Sequence, residues 1–260
     1  MNVDDHVQAI EQDGYTILPD VLTGKEVLQV KEALSPWLQQ ERFGRNNFEG
    51  TRSERVYALL AKDPVFCIIV EHPTILSLLD RFLDATYLLS ANLAINVHPG
   101  ETPQPTHADH ASLPNCDRRT IQGMSTIWAL DDFTEKNGAT QVLVGSHLWS
   151  KEESIDDRHF KKVIMDAGSV LILHGSLLHR GGANQTDMNR LAITPQYCQP
   201  WLRQLENMVL SVPPNIATNL SDRVQELLGY SIRDPGFMGY VDGMHPKRLL
   251  NNGYKGRGSS

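Results

Sequence analysis

Two spacings of apolar residues divide the chain. Over roughly the first third they recur three and four positions apart, and from Thr86 they alternate. Residues 4–12 read as a short helix stopped near Gly14. Tyr15-Thr16-Ile17-Leu18 is a short extended run ended by Pro19. Thr23, with Glu26 three positions on, forms a capping box, and the helix it opens carries Val27, Val30 and Leu34 on one face. Pro36 marks the end of that helix or a kink in it. Residues 46–55 are polar and loop-like, and two further helices, 64–70 and 73–83, each begin on a proline.

In the middle of the chain the period is two. Leu89, Ala91, Leu93, Ile95 and Val97 alternate with more polar neighbours, and Pro99-Gly100 supplies a turn. Further strands are expected at 124–130, 140–144, 163–164, 169–173 and 190–196, with Asn137-Gly138 and Ala167-Gly168 as turns between runs. Regular strand–helix alternation is missing, so the pattern predicts a sandwich or barrel rather than a doubly wound sheet. A helix is expected at 220–228. The predicted fold class is mainly β with flanking helices.

Composition narrows the classes. A chain of 260 residues, 40% hydrophobic and 21% charged, can bury a substantial core, which excludes wholesale disorder. We expect one domain over residues 1–250, with its β core at about 86–197 and a Gly-rich flexible tail at 251–260. The net charge of −7 comes without a basic block, which argues against nucleic acid as partner. An apolar run long enough to span a membrane is absent from the sequence, and the acidic, polar N-terminus is unlike a signal peptide. Cys67, Cys116 and Cys198 are scattered and odd in number; they imply no disulfide framework and suggest a reducing, cytoplasmic setting.

Candidate chemistry lies among the ten histidines. His6, His72, His98, His159 and His245 have no partner at ligand spacing and read as surface or loop residues; His147, after Gly145-Ser146, reads as structural. His107-Ala108-Asp109 is different. In an extended segment residues two apart point the same way, so this imidazole and carboxylate can face one cation. Two histidines and one carboxylate on one face suit non-haem Fe(II) and leave positions open for further ligands. The second histidine must come from a distant segment, and the run 169–179 offers His174 and His179. His110 adjoins Asp109 and would point to the opposite face. Arg190 follows His179 by eleven residues and can hold a carboxylate bidentately; Gln104 precedes His107 by three and can add a polar contact.

The order Gln104-x-x-His107-x-Asp109, Asn137-Gly138-Ala139-Thr140, Gly145-Ser146-His147, and His179 with Asn184 and Arg190 resembles the phytanoyl-CoA dioxygenase family. Gly14-Tyr15-Thr16-Ile17-Leu18 is similar to the family's opening strand, and Leu227-Leu228-Gly229-Tyr230 to its small-molecule members. The resemblance spans nearly the whole chain. It implies a double-stranded β-helix (jelly-roll, cupin-like) core and an Fe(II)- and 2-oxoglutarate-dependent oxygenase that consumes O₂. It further implies His107, Asp109 and His179 as metal ligands, and Arg190 as the partner of the distal carboxylate of 2-oxoglutarate. Gln104, Thr140 and Trp128 are implied near that cosubstrate, although a core position is the commoner place for a tryptophan. Halogenating relatives replace the carboxylate by a small residue, so Asp109 implies oxygenation, most simply hydroxylation with release of succinate and CO₂.

The substrate is less legible. Pocket walls are expected from 111–122, 41–55 and 197–207. Arg118-Arg119 can meet an anionic substrate or can be a solvated pair offset by Asp117, and His174 can line the pocket. A convergent basic cluster of the kind a CoA thioester favours is not evident, which points to a free small organic molecule of specialised metabolism. The same chemistry on a CoA- or carrier-bound acyl group is the alternative, and a non-catalytic jelly-roll metal-binding module is the reading of another class.

Overall fold

The structure, a computed structural model, describes residues 2–39, 43–110, 120–149, 155–233, 238–251 and 253–254. Among the described residues, sixteen α-helices and β-strands frame the site. Helix α1 (Val3–Asp13) is opened by an Asn2 capping box and closed by Gly14 at φ 84°, and it leads into β1 (Tyr15–Leu18). Helix α2 (Gly24–Leu34) starts at the Thr23–Glu26 capping box foreseen from sequence. Next come β2 (Ser53–Val56), α3 (Cys67–Val70), α4 (Pro73–Leu79), β3 (Leu88–Val97) and β4 (Gly123–Ala129). These are followed by β5 (Thr140–Val142), β6 (Lys161–Lys162), β7 (Val170–His174), β8 (His179–Gly181) and β9 (Arg190–Cys198). Helices α5 (Met208–Ser211), α6 (Pro214–Ala217) and α7 (Asp222–Leu228) follow β9.

The strands form two antiparallel sheets, a six-stranded one in the order β1-β7-β4-β9-β3-β2 and a three-stranded one in the order β6-β5-β8. Alternation along each strand of the large sheet sorts its side chains onto two cores. Val170 and Ile172 of β7 face the helices, while Leu171 and Leu173 face the small sheet. In the same way Met124 and Trp128 of β4, and Leu191, Ile193 and Tyr197 of β9, join Val30, Leu34, Phe66 and Ile75 under the helical layer. Ala129 and Ala192 turn inward with Val142 and Leu177, so an apolar layer separates the two sheets at one end. At the other end the space between them stays open, lined by polar groups together with an apolar wall of Leu93, Ile95, Val97 and Ile127.

Three sequence expectations are corrected here. The 46–55 stretch yields a strand, β2, at its end, paired along β3 from Ser53↔Val97 to Val56↔Ala94. The strand expected at 163–164 lies two residues earlier, at Lys161–Lys162, on the edge of the small sheet. His6, His72 and His98 are not free surface groups. His6 is buried on the inner face of α1, with its Nδ1 2.8 Å from Thr16 Oγ1. His72 packs edge-on against Trp128, and His98 Nε2 lies 2.6 Å from the buried carboxylate of Glu54. None of the helices among the described residues is long and apolar enough to cross a membrane.

Candidate metal and cosubstrate site

A cavity of about 140 Å³ opens between the sheets, and all three residues of the implied triad line it. His107 and His179 come together because their backbones form one antiparallel bridge. His107 N–H donates to His179 O at 3.0 Å, and His179 N–H donates to His107 O at 2.8 Å. This reciprocal pairing sets two residues 72 apart in sequence directly side by side, with ring centroids separated by 4.4 Å. The His-x-Asp segment lies in this bridged extended loop, outside the regular strands. Asp109 sits two residues on, with Oδ1 3.8 Å from His107 Nε2 and Oδ2 3.8 Å from His179 Nε2. One ligand atom from each of the three residues lies within 4.8 Å of the others.

The tautomers follow from the backbone. Each of these imidazoles has Nδ1 3.0 Å from the carbonyl two residues earlier, Pro105 O for His107 and Leu177 O for His179. A carbonyl only accepts, so Nδ1 carries the proton and Nε2 presents its lone pair toward Asp109. Ligating histidines are commonly held this way. Burial, reinforced by neighbouring His179, holds the His107 pKa below the ordinary value. Burial alone would raise Asp109, but His179, His107 and a hydrogen bond from Ser125 outweigh it and keep the carboxyl below the ordinary range. Two neutral imidazoles and one carboxylate form a donor set that fits a divalent, borderline-hard cation such as Fe(II).

Arg190 begins β9 opposite Val97 and lines the same cavity. Its guanidinium is buried, stacks 4.4 Å over Phe133, and donates from Nη2 to Gly138 O at 2.8 Å. Its buried Nε has no hydrogen-bond partner among the described residues. Burial brings this arginine's pKa down to about 10, against the opposing pull of Asp131. A buried cation with an unused N–H is set up to receive an anion. Gly138, at φ 86°, turns its carbonyl toward that arginine, a backbone conformation that glycine adopts without strain. Thr140 lines the cavity from β5. Gln104 also lines it, but both ends of its amide are engaged by backbone: Oε1 accepts from Gly181 N–H at 2.8 Å and Nε2 donates to Phe48 O at 2.7 Å. Gln104 therefore ties the Phe48 turn to the strand that carries His179. Phe48 in turn meets the His107 ring edge-on at 4.8 Å.

Other expected residues fall elsewhere. Trp128 is fully buried and does not line the cavity. Lying between Ile127 and Ala129, it points to the helical layer, where its indole N–H reaches Thr126 Oγ1 at 3.1 Å. His174 is outside the cavity as well. Its Nδ1 accepts from Ser176 N–H at 3.1 Å and its ring packs 4.9 Å from His147. With that lone pair taken and the proton left on Nε2, His174 is not in a ligating tautomer. His110 is wedged where Cβ atoms on Gly123 and Gly175 would come within 2.5 and 2.8 Å of its ring. Asn184 is structural: its Nδ2 donates to Val97 O and Met188 O, which braces the turn between β8 and β9. Ser146 accepts from Leu178 N–H, and His147 donates to Glu11 O. Arg118, Arg119 and most of the expected 111–122 wall lie outside the described residues, as do residues 41 and 42 and most of the tail, 252 and 255–260.

The expected wall 41–55 contributes Phe48, Ser53 and Arg55 to the cavity, whereas sequence reasoning missed Ser125, Thr194 and Gln196. The period-two register of β4 and β9 was a usable signal for these three. Each is a polar residue at a position whose same-face neighbours along the strand turn inward.

Comparison with known proteins agrees with this geometry. The family model described as phytanoyl-CoA dioxygenase matches residues 10–192. "Dioxygenase FUM3" of Gibberella moniliformis is 30% identical over 253 residues, covering 90% of this chain and 84% of its own length. Two solved structures share the fold. The non-haem alpha-ketoglutarate-dependent epimerase SnoN from nogalamycin biosynthesis has a TM-score of 0.63 at 21% identity, over 76% of this chain and 83% of its own. HygX of Streptomyces hygroscopicus, solved with nickel and 2-oxoglutarate, has a TM-score of 0.63 at 17% identity, over 77% of this chain and 88% of its own. With its jelly-roll sheets, its His-x-Asp…His cluster and a family match over well more than half its length, the chain belongs to the phytanoyl-CoA dioxygenase family.

Proposed function

We propose that the protein is an Fe(II)- and 2-oxoglutarate-dependent dioxygenase that hydroxylates a C–H bond of a small organic molecule. One observation carries this reading: two imidazole Nε2 atoms and a carboxylate converge in the same cavity that holds the buried, partly unpaired guanidinium of Arg190. When bound, iron and 2-oxoglutarate together supply the oxidant for the C–H bond, with succinate and CO₂ as co-products. In this reading His107, Asp109 and His179 hold the iron, and three protein ligands leave positions for the keto acid and O₂. Arg190 binds the distal carboxylate, while Thr140 contributes to the adjoining wall. The apolar surface of Leu93, Ile95, Val97 and Ile127 excludes water from the reacting centre. A small-molecule substrate is supported by the solved relatives, recorded with nogalamycin RO for SnoN and hygromycin B for HygX. Asp109 occupies the carboxylate position, so oxygenation rather than halogenation is the outcome.

The test has two arms. Anaerobic addition of Fe(II) and 2-oxoglutarate to the protein should give a weak visible charge-transfer band. Under O₂, a screen of small natural products should reveal substrate-dependent succinate release. Absence of both the band and any succinate would overturn the reading.

A further inference from the structure

Asp109 and its support come from parts of the fold with different rigidity. The carboxylate stands in a loop, two residues beyond an isolated backbone bridge. Ser125 stands in the interior of the large sheet, where its backbone pairs with Leu173 of β7 on one side and Gln196 of β9 on the other. Its side chain is buried and faces the cavity, and its Oγ–H donates to Asp109 Oδ2 at 2.5 Å. A short hydroxyl-to-carboxylate contact is among the stronger hydrogen bonds a neutral donor makes.

We propose that Ser125 is a positioning residue that holds Asp109 by Oδ2 and so reserves Oδ1 for the bound divalent cation. This rests on the metal-site reading above and goes beyond it. A carboxylate can give a cation one oxygen or both, and chelation by both occupies two coordination positions. A six-coordinate cation with two imidazoles and a one-oxygen carboxylate keeps three positions open. That number accommodates the two oxygens of a chelating keto acid and one O₂. If Asp109 chelated instead, one of the three would be lost. The Ser125 proton competes with the cation for Oδ2, and the sheet fixes where that proton is offered. The hydroxyl therefore both orients a loop ligand and keeps a coordination position free. A hydrogen-bonded partner behind a ligating side chain is typically worth 10–100-fold in metal affinity.

The experiment uses full-length, metal-free protein and Mn(II) and Co(II), which allow binding to be measured without turnover. Wild type is compared with Ser125→Ala, Ser125→Thr and Ser125→Val. Threonine and valine have nearly the same volume and differ in the hydroxyl, so this pair separates the hydrogen bond from packing. We expect Ser125→Ala and Ser125→Val to weaken Mn(II) binding by about 10-fold or more, while Ser125→Thr stays within about threefold of wild type. At saturating metal, 2-oxoglutarate affinity should fall by about a further tenfold in the two variants without the hydroxyl. The Co(II) visible spectrum should also change in those two alone. Equal Mn(II) and 2-oxoglutarate affinities for the Thr and Val variants would overturn the role of Ser125. Failure of the wild type itself to bind Mn(II) or Co(II) would overturn the metal-site reading on which it stands.

Discussion

Replacing Arg190 by methionine tests the cosubstrate assignment and a stability argument together. The guanidinium is 5% exposed, stacked on Phe133, and bonded to the protein by Nη2 alone among the hydrogen bonds described, with Nε unpaired. A buried charge left partly unpaired destabilises the fold, and apolar replacements of similar volume are often neutral or stabilising. Without ligand, Arg190→Met should therefore be at least as stable as wild type. With ligand the order reverses. A buried bidentate arginine–carboxylate pair that loses one partner costs about 3 kcal/mol, at the low end of what breaking such pairs costs, or roughly 150-fold in affinity. For metal-loaded wild type, 2-oxoglutarate at 100 times its Kd adds about 2.7 kcal/mol, a rise of about 5–10 °C in Tm for a chain of this size. The variant should show almost none of that rise at the same concentration. Arg190→Lys keeps the charge but not the planar fork, and should fall between the two. Differential scanning fluorimetry with Mn(II), with and without 2-oxoglutarate, reads all of this, and isothermal titration supplies the affinities. An undiminished 2-oxoglutarate-dependent rise in Arg190→Met would refute the assignment. A metal-free variant several degrees less stable than wild type would refute the claim that the guanidinium is held for the ligand at a cost to the fold.

Three further outcomes follow from the same structure. Asp109→Ala should abolish succinate release and weaken Mn(II) binding by more than the Ser125 variants do; turnover at the normal rate would remove Asp109 from the metal site. Trp128→Phe should cost about 1–2 kcal/mol in urea unfolding, because it opens a void and deprives Thr126 of the indole N–H, yet leave 2-oxoglutarate affinity unchanged. A tenfold loss of that affinity at intact stability would return Trp128 to the cosubstrate. His174 is buried, and burial, helped by His147 and His110, brings its pKa from 6.5 down to about 4. Between those values the unfolded chain takes up a proton that the folded chain refuses. Stability is therefore full above pH 6.5 and falls by up to about 3 kcal/mol as pH drops to 4. His174→Gln should lessen the pH dependence of the unfolding midpoint between pH 7 and 5, the remainder coming from other histidines that burial also holds low, and an unchanged slope would show that His174 does not contribute.

What could be read from the sequence depended on whether each segment has a hydrophobic face. Strands β3, β4, β7 and β9 each bury apolar residues, and these runs, alternating in β3 and continuous in β7, were visible before their partners were known. Strand β2 was not, because it has polar residues on both faces. Ser53 and Arg55 line the cavity, and Glu54 is buried on the other side against Asn96 and His98. A strand whose inward face is a site rather than a core lacks the signal that betrays a strand. Helices α5 and α6, of four residues each, are too short to display a helical period.

The histidines carry this argument to the atoms. Spacing left His174 and His179 both open as the distal ligand, since each follows the same apolar run. What separates them is one hydrogen bond apiece. Nδ1 of His179 gives its proton to Leu177 O, whereas Nδ1 of His174 receives one from Ser176 N–H. The first leaves a lone pair on Nε2 facing Asp109, and the second leaves a proton there. Among the described residues, His107 is the other histidine whose Nδ1 meets the carbonyl two residues back, and it is the one bridged to His179. Family resemblance selects His107 and His179 by position. The backbone selects the same pair by tautomer, a property that composition and period do not encode because it depends on which carbonyl each turn presents.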